Sequence, residues 1–220
     1  MKTIAIIPAR GGSKRLPGKN TKLLGEIPLL AHSILYAKQH NFIDAVYVST
    51  DDVVIKEIAL QYGAIVIDRP QALSGDLEPT VSALKHVLES IDELVENVIL
   101  LQATNPLRPK NLLQEAFTIF QEQQFDSLFT VSRSHHKLGK ITNHKFMPYN
   151  YEVGQRSQDL EPLYYENGLL YITKAPVILN NEIITKEAFP LEVNHPFANV
   201  DIDTQEDFDY AEFLLNKTKH

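Results

Sequence analysis

The chain contains no cysteine, which excludes disulfides, thiolate metal centres and cysteine nucleophiles. It has no long hydrophobic run. The apolar opening Ile4-Ala5-Ile6-Ile7 stops at Pro8-Ala9-Arg10, short of the roughly 7–15 residues of a secretory core. Nothing approaches the ~20 apolar residues of a membrane span. A cytoplasmic protein without a membrane partner is the expectation. Acidic residues are absent from positions 1–25, although the whole chain carries a net charge of −7. That balance argues against a general nucleic-acid binder. The acid-free segment holds Lys2, Arg10, Lys14, Arg15, Lys19 and Lys22, six of the 21 basic residues. Such concentration in an acidic protein points to a local anion site.

What is present reads as one α/β domain spanning 1–220, long enough to bury a core without staples. Short apolar runs at 4–7, 45–49, 64–67, 97–101 and 127–132 alternate with helical spacing at 28–40, 51–62, 79–94 and 109–123. Thr50 or Asp51 is expected to cap the second helix, and Pro109 to open the fourth. This alternation predicts a mostly parallel sheet with helices on both faces. The rhythm breaks over about 134–165, a polar stretch rich in tyrosine. It reads either as an irregular surface excursion or as an arm over the site or onto a second subunit. A strand resumes at 168–173, and Val200-Asp201-Ile202-Asp203 runs as a strand into a last helix at 205–216.

The segment Ile7-Pro8-Ala9-Arg10-Gly11-Gly12-Ser13-Lys14-Arg15-Leu16-Pro17-Gly18-Lys19-Asn20 follows the first strand. Glycines there let backbone N–H groups approach phosphate, and Arg and Lys supply countercharge. It is not a Walker loop, because five residues separate Gly12 from Gly18 and Asn20 stands where Ser or Thr binds magnesium. No dinucleotide fingerprint occurs either, which argues against a dehydrogenase. Asp201 and Asp203 alternate with Val200 and Ile202, so both carboxylates share one face. Two such carboxylates repel unless a cation or proton lies between them, and carboxylates with phosphate oxygens suit magnesium. Asp203 or Thr204 also serves as a cap for the last helix, with Asp207 in its first turn. His135-His136 lacks a third ligand and reads as a solvated loop pair.

The string IPARGGSKRLPGKN resembles the signature loop of the acylneuraminate cytidylyltransferase family, the CMP-sialic acid synthetases and their relatives for other nonulosonic acids. The resemblance continues through Ser49-Thr50-Asp51, Arg69-Pro70 and Leu101-Gln102-Ala103-Thr104-Asn105-Pro106-Leu107-Arg108. Gln158-Asp159-Leu160, Tyr165-Glu166-Asn167-Gly168 with Tyr171, and Asp201-Ile202-Asp203-Thr204 complete it. These landmarks cover nearly the whole chain in family order.

The resemblance implies a Rossmann-like nucleotidyltransferase fold in which residues 134–165 form a dimerisation arm that helps complete the neighbour's site. It implies CMP transfer from CTP to a nonulosonic acid in cell-surface polysaccharide biosynthesis, with Mg2+ as cofactor and a homodimer as the working form. Arg10, Gly11, Ser13, Lys19 and Asn20 would bind the nucleotide phosphates, and Arg69 and Thr80 would lie near cytosine. Gln102, Asn167 and Tyr171 would bind the sugar, though Tyr171 reads equally well as core. Asp201 and Asp203 would hold the metal. Arg10, Lys19, Arg156 and Asp203 would carry catalysis. Two positions depart from the family pattern. Ser157 stands where a second arginine is common, and Ile183-Ile184 stand where some sialate enzymes place an aromatic pair near the N-acetyl methyl. Pseudaminate, legionaminate and the eight-carbon sugar acid are therefore alternative acceptors. An inactive nucleotide-binding regulator is the alternative of another class, opposed by the intact Arg10, Lys19, Asp201 and Asp203 set.

Overall fold

The computed structural model describes residues 1–217. Seven strands form one sheet: β1 (Lys2–Pro8), β2 (Ala45–Thr50), β3 (Ile65–Asp68), β4 (Val95–Leu100), β5 (Ser127–Ser134), β6 (Leu163–Lys174) and β7 (Phe189–Glu192). Their order is β7-β5-β6-β4-β1-β2-β3. Only β6 runs against its neighbours; the β1–β2, β1–β4, β2–β3 and β5–β7 pairs are parallel. The mostly parallel Rossmann-like sheet expected from the alternation is what forms.

Alternation along β1 shows why its run is wholly apolar. Ala5 and Ile7 join one core with α1 (Leu29–Lys38), α2 (Val53–Gln61) and α4 (Leu112–Glu122). Ile4 and Ile6 join the opposite core with α3 (Thr80–Ser90) and α5 (Ala175–Leu179). A strand covered on both faces cannot afford a polar position. A third cluster packs α6 (Gln205–Lys217), through Phe208, Ala211 and Leu214, against Leu16, Leu24, Val200 and Ile202. It fastens the end of the chain beneath the loop after β1.

Several local expectations are corrected. Asp52, not Thr50 or Asp51, caps α2 by accepting from Ile55 N at 2.9 Å. Thr50 is still paired in β2 with Asp68, and Asp51 is taken by Gly11 N at 3.1 Å. α4 starts at Leu112, not Pro109, because Leu112 N first closes a turn onto Pro109 O at 3.1 Å. Val200–Asp203 is not the expected strand: Val200 is extended, Asp203 stands in a bend, and the segment joins no strand ladder. Its backbone is held by Ile202 N donating to Thr104 O and by the Asn105 side chain donating to Val200 O. The burial alternation nevertheless stands, with Val200 and Ile202 buried and Asp201 and Asp203 turned outward.

The 134–165 excursion is more regular than an irregular loop. It contains a hairpin of Gly139–Thr142 and Lys145–Pro148. Asn143 and His144 turn it, both with positive φ, as a two-residue type I′ turn requires. Every residue of this hairpin's strands is exposed.

Candidate active site

The chain steps outward from β1 to β2 and β3, then returns to lay β4 on the other side of β1. That reversal is a topological switch point, where open α/β sheets bind ligands beyond their carboxyl strand ends. The loops after β1 and β4 bracket a cavity of about 520 Å³. Arg10, Ser13, Lys19 and Asn20 line it from one side, Arg69 and Thr80 from another, and Gln102 from a third. Those predicted residues are brought together.

The loop after β1 is shaped by close approach. A Cβ on Gly11 would stand 2.5 Å from an Asp52 carboxylate oxygen, so only glycine fits beside the α2 cap. Asn20 Nδ2 donates to Arg10 O at 3.0 Å, drawing the loop's two ends together. Arg69, buried just after β3, turns back onto the end of β2, where its Nε donates to Ser49 Oγ at 3.0 Å and a terminal nitrogen to Ser49 O at 2.5 Å. Burial lowers its pKa, with Arg10 pushing the same way and Asp51 opposing.

The four cations of the loop are shared between two carboxylates. Asp203 accepts from Arg15 at 2.6 Å and from buried Lys19 at 3.0 Å. Lys19 also donates to Ile202 O at 2.8 Å. Asp76 takes Arg10 at 2.8 Å and Lys14 as well. Arg15 and Asp76 were not among the expected site residues. Asp76 sits in an exposed loop with no periodicity, so only tertiary contact reveals it.

The capping question also resolves. Asp207 accepts from the Asp203 and Thr204 backbones at 3.0 and 2.8 Å, and Thr204 Oγ1 accepts from Asp207 N at 3.3 Å. Thr204 and Asp207 thus close a capping box for α6, which leaves the Asp203 carboxylate to the cleft.

Gln102 also lines two further cavities. One, of about 430 Å³, adds Tyr165, Glu166, Asn167, Tyr171 and Asp201. None of its lining residues is basic. The other, of about 300 Å³, adds Val81, Leu100, Ile183 and Ile184 to Glu166 and Tyr171. Tyr171 lines both of these cavities from the core. Its ring belongs to the core, and its hydroxyl donates to Glu166 at 2.7 Å. Burial, then the Glu166 contact, drives its pKa up.

The Asn167 side chain is committed inward: it accepts from Thr130 Oγ1 at 2.6 Å and donates to Ser132 Oγ at 2.9 Å. Here β6 shifts register, and Gly168 has φ +75° with Asn105 Oδ1 2.9 Å from any added Cβ. Asn105 donates to both Asn167 O at 3.2 Å and Val200 O at 2.7 Å. One buried amide therefore joins the wall of the second cavity to the aspartate segment. Arg108, fully buried, braces the same corner on Leu169 O, Ser33 Oγ and Gln102 O. Burial pushes its pKa down to about 10.

Asp201 lines the second cavity and Asp203 the first, so the pair flanks their junction. Desolvation by the protein behind it raises the Asp201 pKa, helped by the charges of Asp203 and Asp207 and opposed by Thr104 and Lys19. Among the described residues no group of three His, Cys, Asp or Glu forms a metal cage. Two carboxylates completed by substrate phosphates is instead the donor set that magnesium accepts. The pair fits such an ion. Arg156 lies apart from these cavities on the excursion and pairs with Asp159 at 2.7 and 3.1 Å. His135 and His136 are exposed.

No helix among the described residues is long and apolar enough to cross a membrane. The chain is similar to a pseudaminic acid cytidylyltransferase of Campylobacter jejuni, 34% identical over all of this chain and 98% of that protein. It is 34% identical to the CMP-N,N'-diacetyllegionaminic acid synthase of Legionella pneumophila, covering 98% of this chain and 97% of the other. It is also 33% identical to an N-acylneuraminate cytidylyltransferase of Streptococcus agalactiae over 94% of this chain, which spans about half (52%) of that longer protein. Its fold matches the solved structure of CMP:2-keto-3-deoxy-manno-octonic acid synthetase complexed with CTP. That match has a TM-score of 0.73 and 18% identity, and it covers 99% of this chain and 100% of the other. Residues 4–219 match the Cytidylyltransferase family, and the chain belongs to it.

Proposed function

We propose that this enzyme transfers CMP from CTP to a nonulosonic acid and releases pyrophosphate. The observation that carries the reading is the joined pair of cavities. A cation-lined cleft at the switch point meets, at Gln102, a neutral-to-acidic cavity sized for a sugar. The acceptor's anomeric hydroxyl attacks the α-phosphorus. A sugar O–P bond forms, the bond to the β-phosphate oxygen breaks, and pyrophosphate departs in line. Catalysis is then positioning and charge neutralisation. Arg10 and Lys19 bear on the phosphate oxygens, while Ser13, Asn20 and the Gly11 backbone shape their cradle. Arg69 and Thr80 flank the base. Gln102 and Tyr171 face the acceptor, and Asn167 holds the wall they share.

Asp201 and Asp203 would hold Mg2+ at the junction. A bound divalent cation supplies neutralisation of phosphate oxygens. The Asp203 carboxylate faces Arg15 and Lys19, and a metal would take their place.

The working form in this reading is a homodimer built on the arm. Ile141, Phe146, Met147 and Tyr149 lie 53–79% exposed there, an apolar surface of the kind that marks an interface. The acceptor is an acid, yet its cavity has no cation of its own. Arg156 from a second copy's arm supplies one, and its neighbour Ser157 is uncharged. Ile183 and Ile184 make the third cavity apolar, suited to acyl or deoxy substituents. In this reading the reaction runs in the cytoplasm, the compartment the sequence leads one to expect.

The test is pyrophosphate release from CTP and magnesium with N-acetylneuraminate, legionaminate, pseudaminate and the eight-carbon acid. CTP-dependent release with one acceptor establishes reaction and substrate together. Absence of CTP binding refutes the reading.

A further inference from the structure

We propose that Asp76 is a stand-in anion: in the free protein it occupies Arg10 and Lys14, yields them to the polyphosphate of CTP, and returns as pyrophosphate leaves. The inference rests on the CTP reading above.

Asp76 lies on the strap of residues 70–79 that joins β3 to α3. The strap's flanking residues, Arg69 and Thr80, both line the first cavity. The tip is held by charge, not by packing. Its carboxylate splits between Arg10 NH1 at 2.8 Å and Lys14 Nζ, and Arg10 NH1 also donates to Ser74 O at 3.4 Å. The adjoining apolar side chain, Leu77, is 98% exposed, so no hydrophobic contact there opposes opening. These contacts bridge a strap and a loop more than 60 residues apart in sequence. Lys14, with Arg10 adding, holds the Asp76 carboxyl below the ordinary carboxylate range against an opposing desolvation. It is an anion wherever the enzyme works.

Asp203 makes the parallel contact to Arg15 and Lys19, but it differs in two respects. It is fixed by the Thr204–Asp207 box and stands at the junction with the acceptor cavity. Asp76 lines the first cavity alone and sits on a strap without a core anchor at its tip. A carboxylate so placed has no part in the reaction. It does neutralise two cations that would otherwise repel each other, and it must leave before phosphate oxygens can take both.

Titration calorimetry of the full chain and of Asp76→Asn with CTP, inorganic pyrophosphate and cytidine tests this. Two solvent-accessible ion pairs, the Lys14 one largely exposed, compete modestly, so the variant should bind CTP and pyrophosphate about two- to fivefold tighter. Product inhibition by pyrophosphate should strengthen in step, and cytidine should bind both proteins alike. Asp76→Glu, which restores the charge, should return the affinities toward the wild type. A merely structural role would weaken binding, not tighten it. Equal or weaker polyphosphate binding by Asp76→Asn overturns the proposal, as does any change confined to cytidine. If the wild-type chain binds neither CTP nor pyrophosphate, the CTP reading itself fails, and that result is distinct from equal binding by the two proteins.

Discussion

The two main cavities meet at Gln102 but are furnished oppositely. The first carries Arg10, Lys14, Arg15, Lys19 and Arg69, with Asp76 and Asp203 balancing four of them. The second carries Glu166 and Asp201 and no basic side chain. On the proposed function, one chain would then be complete for holding a polyphosphate and would lack a cation for a sugar acid. In that reading, the half that must empty and refill each turnover has internal counterions, and the half without one would draw it from a metal ion or a second subunit.

The sharpest way to break this contrast is Asp203→Ala. It removes the carboxylate at the junction while leaving the capping box intact. Turnover should fall by about 10²-fold or more, the scale for losing one preorganised electrostatic group, while CTP binding is not weakened. Steady-state kinetics over a magnesium series checks both. Normal turnover with normal metal dependence would remove Asp203 from the mechanism.

Asn105→Ala attacks the joint between the halves. It strands the Asn167 and Val200 carbonyls, and leaving such buried groups unpaired costs about 1–3 kcal/mol. Denaturant unfolding should show that loss, accompanied by a raised KM for both substrates. Full stability would mean that water replaces the amide.

Arg156→Ala probes the missing cation. A charge-assisted contact to a carboxylate contributes roughly 1.5–3 kcal/mol, so acceptor KM should rise about tenfold or more with CTP affinity unchanged. Mixing this variant with Asp203→Ala should recover part of the activity, because a mixed dimer holds one intact site. No recovery under subunit exchange would assign Arg156 to its own chain's site.

The smallest effect is expected from Asp201→Asn in the metal-free protein. The folded carboxyl has a raised pKa, so the fold binds that proton more tightly than the unfolded chain does. Stability therefore falls as pH rises through the window between the ordinary and raised values. The amide removes that loss. Thermal melts should show the variant more stable near neutral pH and level with the wild type below the ordinary carboxylate range. A variant less stable at neutral pH would mean that Asp201 is a net support.

The strand run 4–7, its basic sequel and the Asp201–Asp203 pair were all legible because each rests on local rules: alternation, glycine beside phosphate, like charges in close sequence. Asp52 was missed as the α2 cap because three candidate caps stand in a row, and two tertiary contacts decide among them: the pairing of Thr50 with Asp68 and the bond from Gly11 N to Asp51. Asp76 and Arg15 were missed because their meaning lies in partners 62 to 188 residues away. Asn167, which the resemblance set at the sugar, lines the second cavity with its side chain hydrogen-bonded to Thr130 and Ser132, beside the register shift in β6.

By itself the sequence determined the sheet class, the cationic loop after β1 and the family, because burial on both faces and a dense run of cations leave composition marks that survive without coordinates. Only the tertiary structure decided which carboxylate answers which cation and that the second cavity has no basic side chain. Charge pairing depends on distance through space, and chain order does not encode it.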